Sequence, residues 1–143
     1  MREIKRIILH CTATEPDHWV TVDTVRRWHT SPPRNWSDCG YHFLIRLDGV
    51  IEKGRPVMKQ GAHVKGHNHD SIGIAYAGGV LDGKPKDTLN ARQYRSTQDI
   101  IWSLRLVFGW IPVSGHNEYS NKACPSFIVA DKFKDINIKP SWN

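Results

Sequence analysis

No apolar run in this chain of 143 residues exceeds four residues, whereas a membrane-spanning helix needs ~20. No export leader is expected either. Met1-Arg2-Glu3-Ile4-Lys5-Arg6 leads only into Ile7-Ile8-Leu9 before polar His10, too short an apolar stretch for a signal peptide. Synthesis in the cytoplasm, with no stable membrane association, is therefore expected. Cysteine is scarce: Cys11, Cys39 and Cys124 are odd in number and widely spaced, which argues against a disulfide framework. There is no Cys-x-x-Cys pair, so a closed four-cysteine structural metal site is not expected. Repeats, low-complexity tracts and linkers are absent, and no run of five basic residues occurs. The basic residues read as a solvated surface, and no nucleic-acid partner is expected.

What remains is ordinary globular material. Hydrophobic residues make up 39% and charged residues 24% of the chain, with six tryptophans, four tyrosines and four phenylalanines to drive burial. The length suits one domain, 1–143. Twenty Lys and Arg against 14 Asp and Glu leave a formal charge of +6, which favours anionic partners in general. The eight histidines are the unusual count and ask for a metal or acid–base explanation.

Hydrophobic periodicity predicts a strand over Glu3–Thr12, buried on both faces because Ile7-Ile8-Leu9 is continuous. Thr21 caps a short helix through His29. Gly40–Ile51 reads as a hairpin turning at Asp48-Gly49, Ser71–Tyr76 as a second buried strand, and Leu81–Thr88 as a polar loop. The clearest helix is 91–108, with Asn90 as cap, Gln93 as its capping-box partner and Tyr94, Thr97, Ile101, Leu104 and Phe108 on one face. A strand near Ile111–Val113 and a last helix from Pro125 to about Phe133 complete the order. The expectation is an α/β domain with a central mixed sheet of about five strands flanked by helices.

One constellation carries chemistry. His10 ends the first buried strand, where side chains project into the crevice at a sheet's edge. His116 and Cys124 lie in one loop segment, Gly115-His116-Asn117-Glu118-Tyr119-Ser120-Asn121-Lys122-Ala123-Cys124-Pro125. Two imidazoles and a thiolate suit zinc and leave a fourth position for water, as catalytic sites do. Spacing alone leaves the set open: Cys11 could replace Cys124, other histidines compete with His116, and a lone cysteine or strand histidine also suits a core.

Further segments narrow the choice. These are Ile7-Ile8-Leu9-His10-Cys11-Thr12-Ala13-Thr14, Gly40-Tyr41-His42-Phe43-Leu44-Ile45, Asp48-Gly49, Gly54-Arg55, Gly61-Ala62-His63, Gly66-His67-Asn68, Ser71-Ile72-Gly73-Ile74, and His116 with Lys122-Ala123-Cys124-Pro125-Ser126-Phe127. In this order, over residues 7–127, the chain resembles the zinc-dependent N-acetylmuramoyl-L-alanine amidases of the amidase type 2 and peptidoglycan recognition protein superfamily, and most of all the short bacteriophage amidases called phage lysozymes. The resemblance implies one zinc ion held by His10, His116 and Cys124 in a surface groove at the sheet. It implies Tyr41 and Lys122 as catalytic residues, the latter specific to the phage branch. It places His63, Asn68 and His69 beside the peptide-binding groove, and Trp36 is the best of Trp19, Trp28 and Trp36 for stacking on a sugar. Cys11 reads as a core residue on the face opposite His10.

The activity so implied is hydrolysis of the amide between N-acetylmuramic acid and L-alanine in peptidoglycan, by a monomer that reaches the periplasm or wall through a holin-type pore. Three other readings stand beside it. The chain could be a peptidoglycan binder without catalysis, although all three ligand candidates and both catalytic candidates are present. It could be a muropeptide-recycling enzyme or a secretion-delivered toxin. As a minor alternative it could inhibit an RNA polymerase through its N-terminal segment, which is short here.

Overall fold

The computed structural model of the chain describes residues 2–141; Met1, Trp142 and Asn143, the ends of the expected 1–143 domain, lie outside the described residues. The elements are β1 (Arg6–Cys11), α1 (Val22–Thr30), β2 (Phe43–Ile45), β3 (Ile51–Lys53), β4 (Ser71–Tyr76), β5 (Val80–Leu81), β6 (Lys84–Pro85), α2 (Ala91–Phe108), β7 (Val113–Gly115) and α3 (Val129–Lys132). Five strands form one sheet in the order β3-β2-β4-β1-β7. β1 runs parallel to both β4 and β7, β2 runs parallel to β4, and only β3 is antiparallel to its neighbour. The expected mixed sheet is present.

Side-chain alternation divides the sheet into two chemically different faces. Ile7, Leu9 and Cys11 of β1, Ile72, Ile74 and Tyr76 of β4, and Phe43 and Ile45 of β2 pack with Ile101 and Leu104 of α2, Val129 of α3 and Phe133 just after it. This is the main core. The opposite face carries Leu44 and Ala75, which pack on Val22 and Val25 of α1. By the same alternation His10 and His42 belong to this second face. Covering both faces is what the continuous apolar run of β1 requires.

Both long helices start where their caps place them. Thr21 accepts from the Thr24 N–H and the Thr24 side chain returns to the Thr21 N–H; Asn90 and Gln93 do the same for α2. Two buried polar residues on α2 hold loops rather than packing apolar surface. The Gln93 amide donates to the Ala77 carbonyl, and Arg105 donates to the carbonyls of Ile111 and Ile136.

Three expectations are corrected. The segment 81–88 is not all loop: β5 and β6 pair as a small hairpin whose turn, Asp82-Gly83, holds φ at +52° and +76°. β7 begins at Val113 rather than Ile111, because Pro112 has no N–H for the ladder and offers only its carbonyl, to the Ile7 N–H. The last helix begins at Val129 rather than Pro125, because Ser126 sits at φ +72° and cannot be helical.

Two histidines are structural and held neutral. His42 is fully buried; its Nδ1 accepts the Gly73 N–H at 3.0 Å, and its Nε2–H donates to the Lys59 carbonyl at 2.8 Å. His29 is buried with Nδ1 accepting the Gly40 N–H at 2.8 Å. Burial, chiefly, lowers each ring to about 4, helped by Arg34 and Arg55 around His29 and by Arg2 and Arg55 around His42. Protonation would turn an acceptor nitrogen against a backbone N–H. Below its ordinary pKa near 6.5 the unfolded chain takes up these protons and the folded chain does not, so stability falls with pH. Each ring is expected to cost on the order of 2–3 kcal/mol between pH 7 and pH 4.5. Urea unfolding in chelator at the two pH values checks this; equal midpoints would contradict it.

Candidate active site

The site is a consequence of strand register. In β1 and β7 the paired residues are Ile7 with Val113, Ile8 with Ser114 and Leu9 with Gly115. One further step of the same register sets His10 beside His116, and their rings lie 4.7 Å apart between centroids. Both stand at the carboxyl ends of parallel strands, the position from which side chains reach a crevice.

The backbone also explains the position of Cys124. The Ile7 N–H points to the β7 side, so with a period of two the Cys11 N–H points there as well. β7 has ended at Gly115 by that level. Cys124 Sγ takes the vacated place, accepting the Cys11 N–H at 3.1 Å. The donor atoms of His10, His116 and Cys124 all lie within 4.8 Å of one another. Cys11 itself turns its side chain into the helix-side core, as alternation requires.

Burial tunes the protonation of all three. His10 is buried, and its pKa is pushed well below the usual range by desolvation, with His63, His116 and Lys122 adding in the same sense. Desolvation and Lys122 lower His116 too. Both rings are thus neutral and able to donate a lone pair. The neighbouring Cys11 and burial hold the Cys124 thiol above its ordinary range, so its thiolate needs a cation close by. Neutral imidazoles, a sulfur that needs a cation and a backbone N–H aimed at that sulfur fit a borderline-soft divalent metal such as zinc.

A groove of about 470 Å³ opens beside this cluster, lined in part by Trp36, His63, Asn68, His116, Tyr119 and Lys122. Five expected residues therefore line one groove: Trp36, His63, Asn68, His116 and Lys122. His69 is not among the lining residues; its side chain is exposed beside Asp70. Asn68 is partly committed elsewhere, since its Oδ1 accepts the N–H groups of both His63 and Val64 at 2.8 Å and so shapes the loop. His63 also faces inward: its Nδ1 lies 2.8 Å from His10 Nε2, and burial, chiefly, lowers its pKa to about 3.

Tyr41 enters β2 with its ring 5.1 Å from that of His10. Tyr41 also lines a smaller cavity of about 170 Å³ with Thr12, Trp28, His29 and Arg34. Burial raises the Tyr41 pKa, so it works as a phenol and not as a phenolate. Lys122 is exposed on the groove wall. Sequence reasoning missed Tyr119, which lines the groove with its ring tilted 4.6 Å from that of His67, and Lys65. Neither sits in a pattern that marks it. In the sequence Ser71 stands only as the start of a strand.

With this geometry in place, comparison with known proteins is direct. The family model described as N-acetylmuramoyl-L-alanine amidase matches residues 1–127. The endolysin of Escherichia phage T7 is 40% identical over 122 residues, 85% of this chain and 80% of that protein. The endolysin of Enterobacteria phage T3 is 38% identical over the same share of each chain. Among solved structures, the N-acetylmuramoyl-L-alanine amidase LysC from Clostridium intestinale URNW superposes with a TM-score of 0.82 at 26% identity, covering 96% of this chain and 88% of its own. The chain belongs to the N-acetylmuramoyl-L-alanine amidase family.

Proposed function

We propose that the chain works as one amidase domain, 1–143, in which His10, His116 and Cys124 hold a zinc ion and Tyr41 and Lys122 act on the substrate. The reaction is the family's: hydrolysis of the amide that joins N-acetylmuramic acid to L-alanine in peptidoglycan, as an endolysin. The observation that carries the reading is the convergence of two neutral imidazoles and one sulfur, remote in sequence, within 4.8 Å beside an open groove. Zinc, when bound, supplies a Lewis acid that activates water near neutral pH and polarises the carbonyl under attack.

The protein's own groups do the rest. Tyr41, kept protonated by burial, hydrogen-bonds the attacking water through its hydroxyl and sets its approach. Lys122 reaches from the groove wall as a cation toward the carbonyl oxygen, where negative charge grows as water adds. The C–N bond then breaks, the alanine nitrogen leaves with a proton, and the lactyl group becomes a carboxylate. The stem peptide lies in the 470 Å³ groove, with Trp36 against a sugar ring and His63 and Asn68 along the peptide.

No helix among the described residues is long and apolar enough to cross a membrane. Relationship to phage endolysins supports action at the wall, reached from the cytoplasm through a holin-type pore, by a monomer. The charge of +6 favours adsorption to anionic wall polymers.

Digestion of purified peptidoglycan followed by mass analysis is expected to release free L-alanine amino termini without new reducing sugars. Reducing ends without new amines would overturn the assignment. Chelator should abolish turnover and zinc restore it, and Cys124→Ser should lose both zinc and turnover. Tyr41→Phe and Lys122→Ala are expected to keep their zinc while kcat drops about 10²–10³-fold. Unchanged kcat in either variant would remove that residue from the mechanism.

A further inference from the structure

The hydrogen bonds behind His10 determine which of its nitrogens is free. Ser71 is fully buried, with its hydroxyl 2.7 Å from the His67 carbonyl oxygen and 3.2 Å from His63 Nε2. A carbonyl only accepts, so the Ser71 O–H donates to it. The hydroxyl then has only lone pairs for His63, and His63 Nε2 must carry the hydrogen. In the neutral ring, His63 Nδ1 is therefore the acceptor. It lies 2.8 Å from His10 Nε2, which must donate. With its hydrogen on Nε2, His10 keeps Nδ1 unprotonated, and a metal takes only an unprotonated nitrogen.

We infer that His63 and Ser71 are positioning residues that set the tautomer of His10, through the chain His67 carbonyl, Ser71 hydroxyl, His63 ring, and so present His10 Nδ1 to the metal. The inference rests on the zinc reading above and adds two residues to it. Among the described residues the ring nitrogens of His63 meet only His10 and Ser71. Its charged neighbours are Arg2 and Arg55, which oppose a charged imidazolium.

Gly73 supplies an independent observation. The His63 ring lies flush against it: a Cβ at position 73 would stand 2.7 Å from His63 Cγ and Nδ1. Gly73→Ala therefore displaces the ring without deleting any hydrogen-bonding group of the chain.

The test has two arms. Long-range 1H–15N spectra of the zinc-loaded and the chelator-treated protein read the tautomers directly. Both His63 and His10 are expected to carry hydrogen on Nε2, with the zinc on His10 Nδ1. A hydrogen on Nδ1 of either ring would overturn the relay, and the spectrum of the metal-free protein tests it even if zinc binds elsewhere. The second arm measures zinc affinity by competition with a chromophoric chelator, alongside urea midpoints. His63→Ala, Ser71→Ala and Gly73→Ala are each expected to weaken zinc about 10–100-fold, a loss that a purely structural role would show in the urea midpoint instead. Unchanged affinity in all three would overturn the inference while leaving the zinc reading intact. Wild-type affinity in Cys124→Ser would overturn the zinc reading itself.

Discussion

The register between β1 and β7 is the constraint on which the site depends. Parallel pairing fixes which residues stand side by side, and a slip of one residue would turn every side chain of the strand to the other face. Ile7, Ile8 and Leu9 cannot accept such a slip, because Ile7 and Leu9 belong to the core under α2 and α3. The apolar core thus locks the register, and the locked register carries His10 to His116. The early end of β7 then frees the Cys11 N–H for the Cys124 sulfur. A hydrophobic pattern and one truncated strand position three donor atoms that no local sequence feature brings together.

The second consequence is electrostatic. His10, His29, His42 and His63 are drawn toward neutrality mainly by the loss of water around them. An uncompensated buried polar nitrogen would be costly, and all four rings meet that demand through backbone groups, the Ser71 hydroxyl or each other. His42 and His29 each accept a glycine N–H, and His63 joins His10 to Ser71. The crevice that suits a metal is thus also a region where low pH works against the fold. The acid sensitivity of His29 and His42 and the neutrality of the site rings share one cause, the loss of water around each imidazole.

Much of this was readable from residues alone, for reasons that can be named. β1, β4 and α2 follow from burial patterns strong enough to survive in three dimensions, and both helix starts follow from cap chemistry confined to four residues. The candidate ligands His10, His116 and Cys124 were legible as residue types, but composition and spacing left Cys11 and other histidines in competition, and the resemblance to a family narrowed the set. The 4.8 Å cluster depends on a parallel pairing between distant segments, and no local period reports such a pairing. The short hairpin of β5 and β6 escaped because its strands are two residues each. The late start of α3 escaped because a left-handed Ser126 is invisible to propensity. Ser71 looked like any strand residue, since its role lies in where its hydroxyl points and not in what it is.

Two glycines leave the His63 ring no room to shift toward the backbone. Gly61 and Gly73 approach the same ring: a Cβ at position 61 would stand 2.8 Å from His63 Cδ2, and one at 73 would stand 2.7 Å from His63 Cγ. The imidazole is therefore packed against bare backbone, which has no rotamers with which to yield. A Cβ at position 61 would also stand 2.9 Å from His42 Cε1, so one segment of backbone borders both rings. A ring held this way keeps its hydrogen-bond direction without the entropy loss of ordering flexible neighbours. That is the condition for a neutral histidine to orient a metal ligand: its lone pair has to point at His10 before the ion arrives.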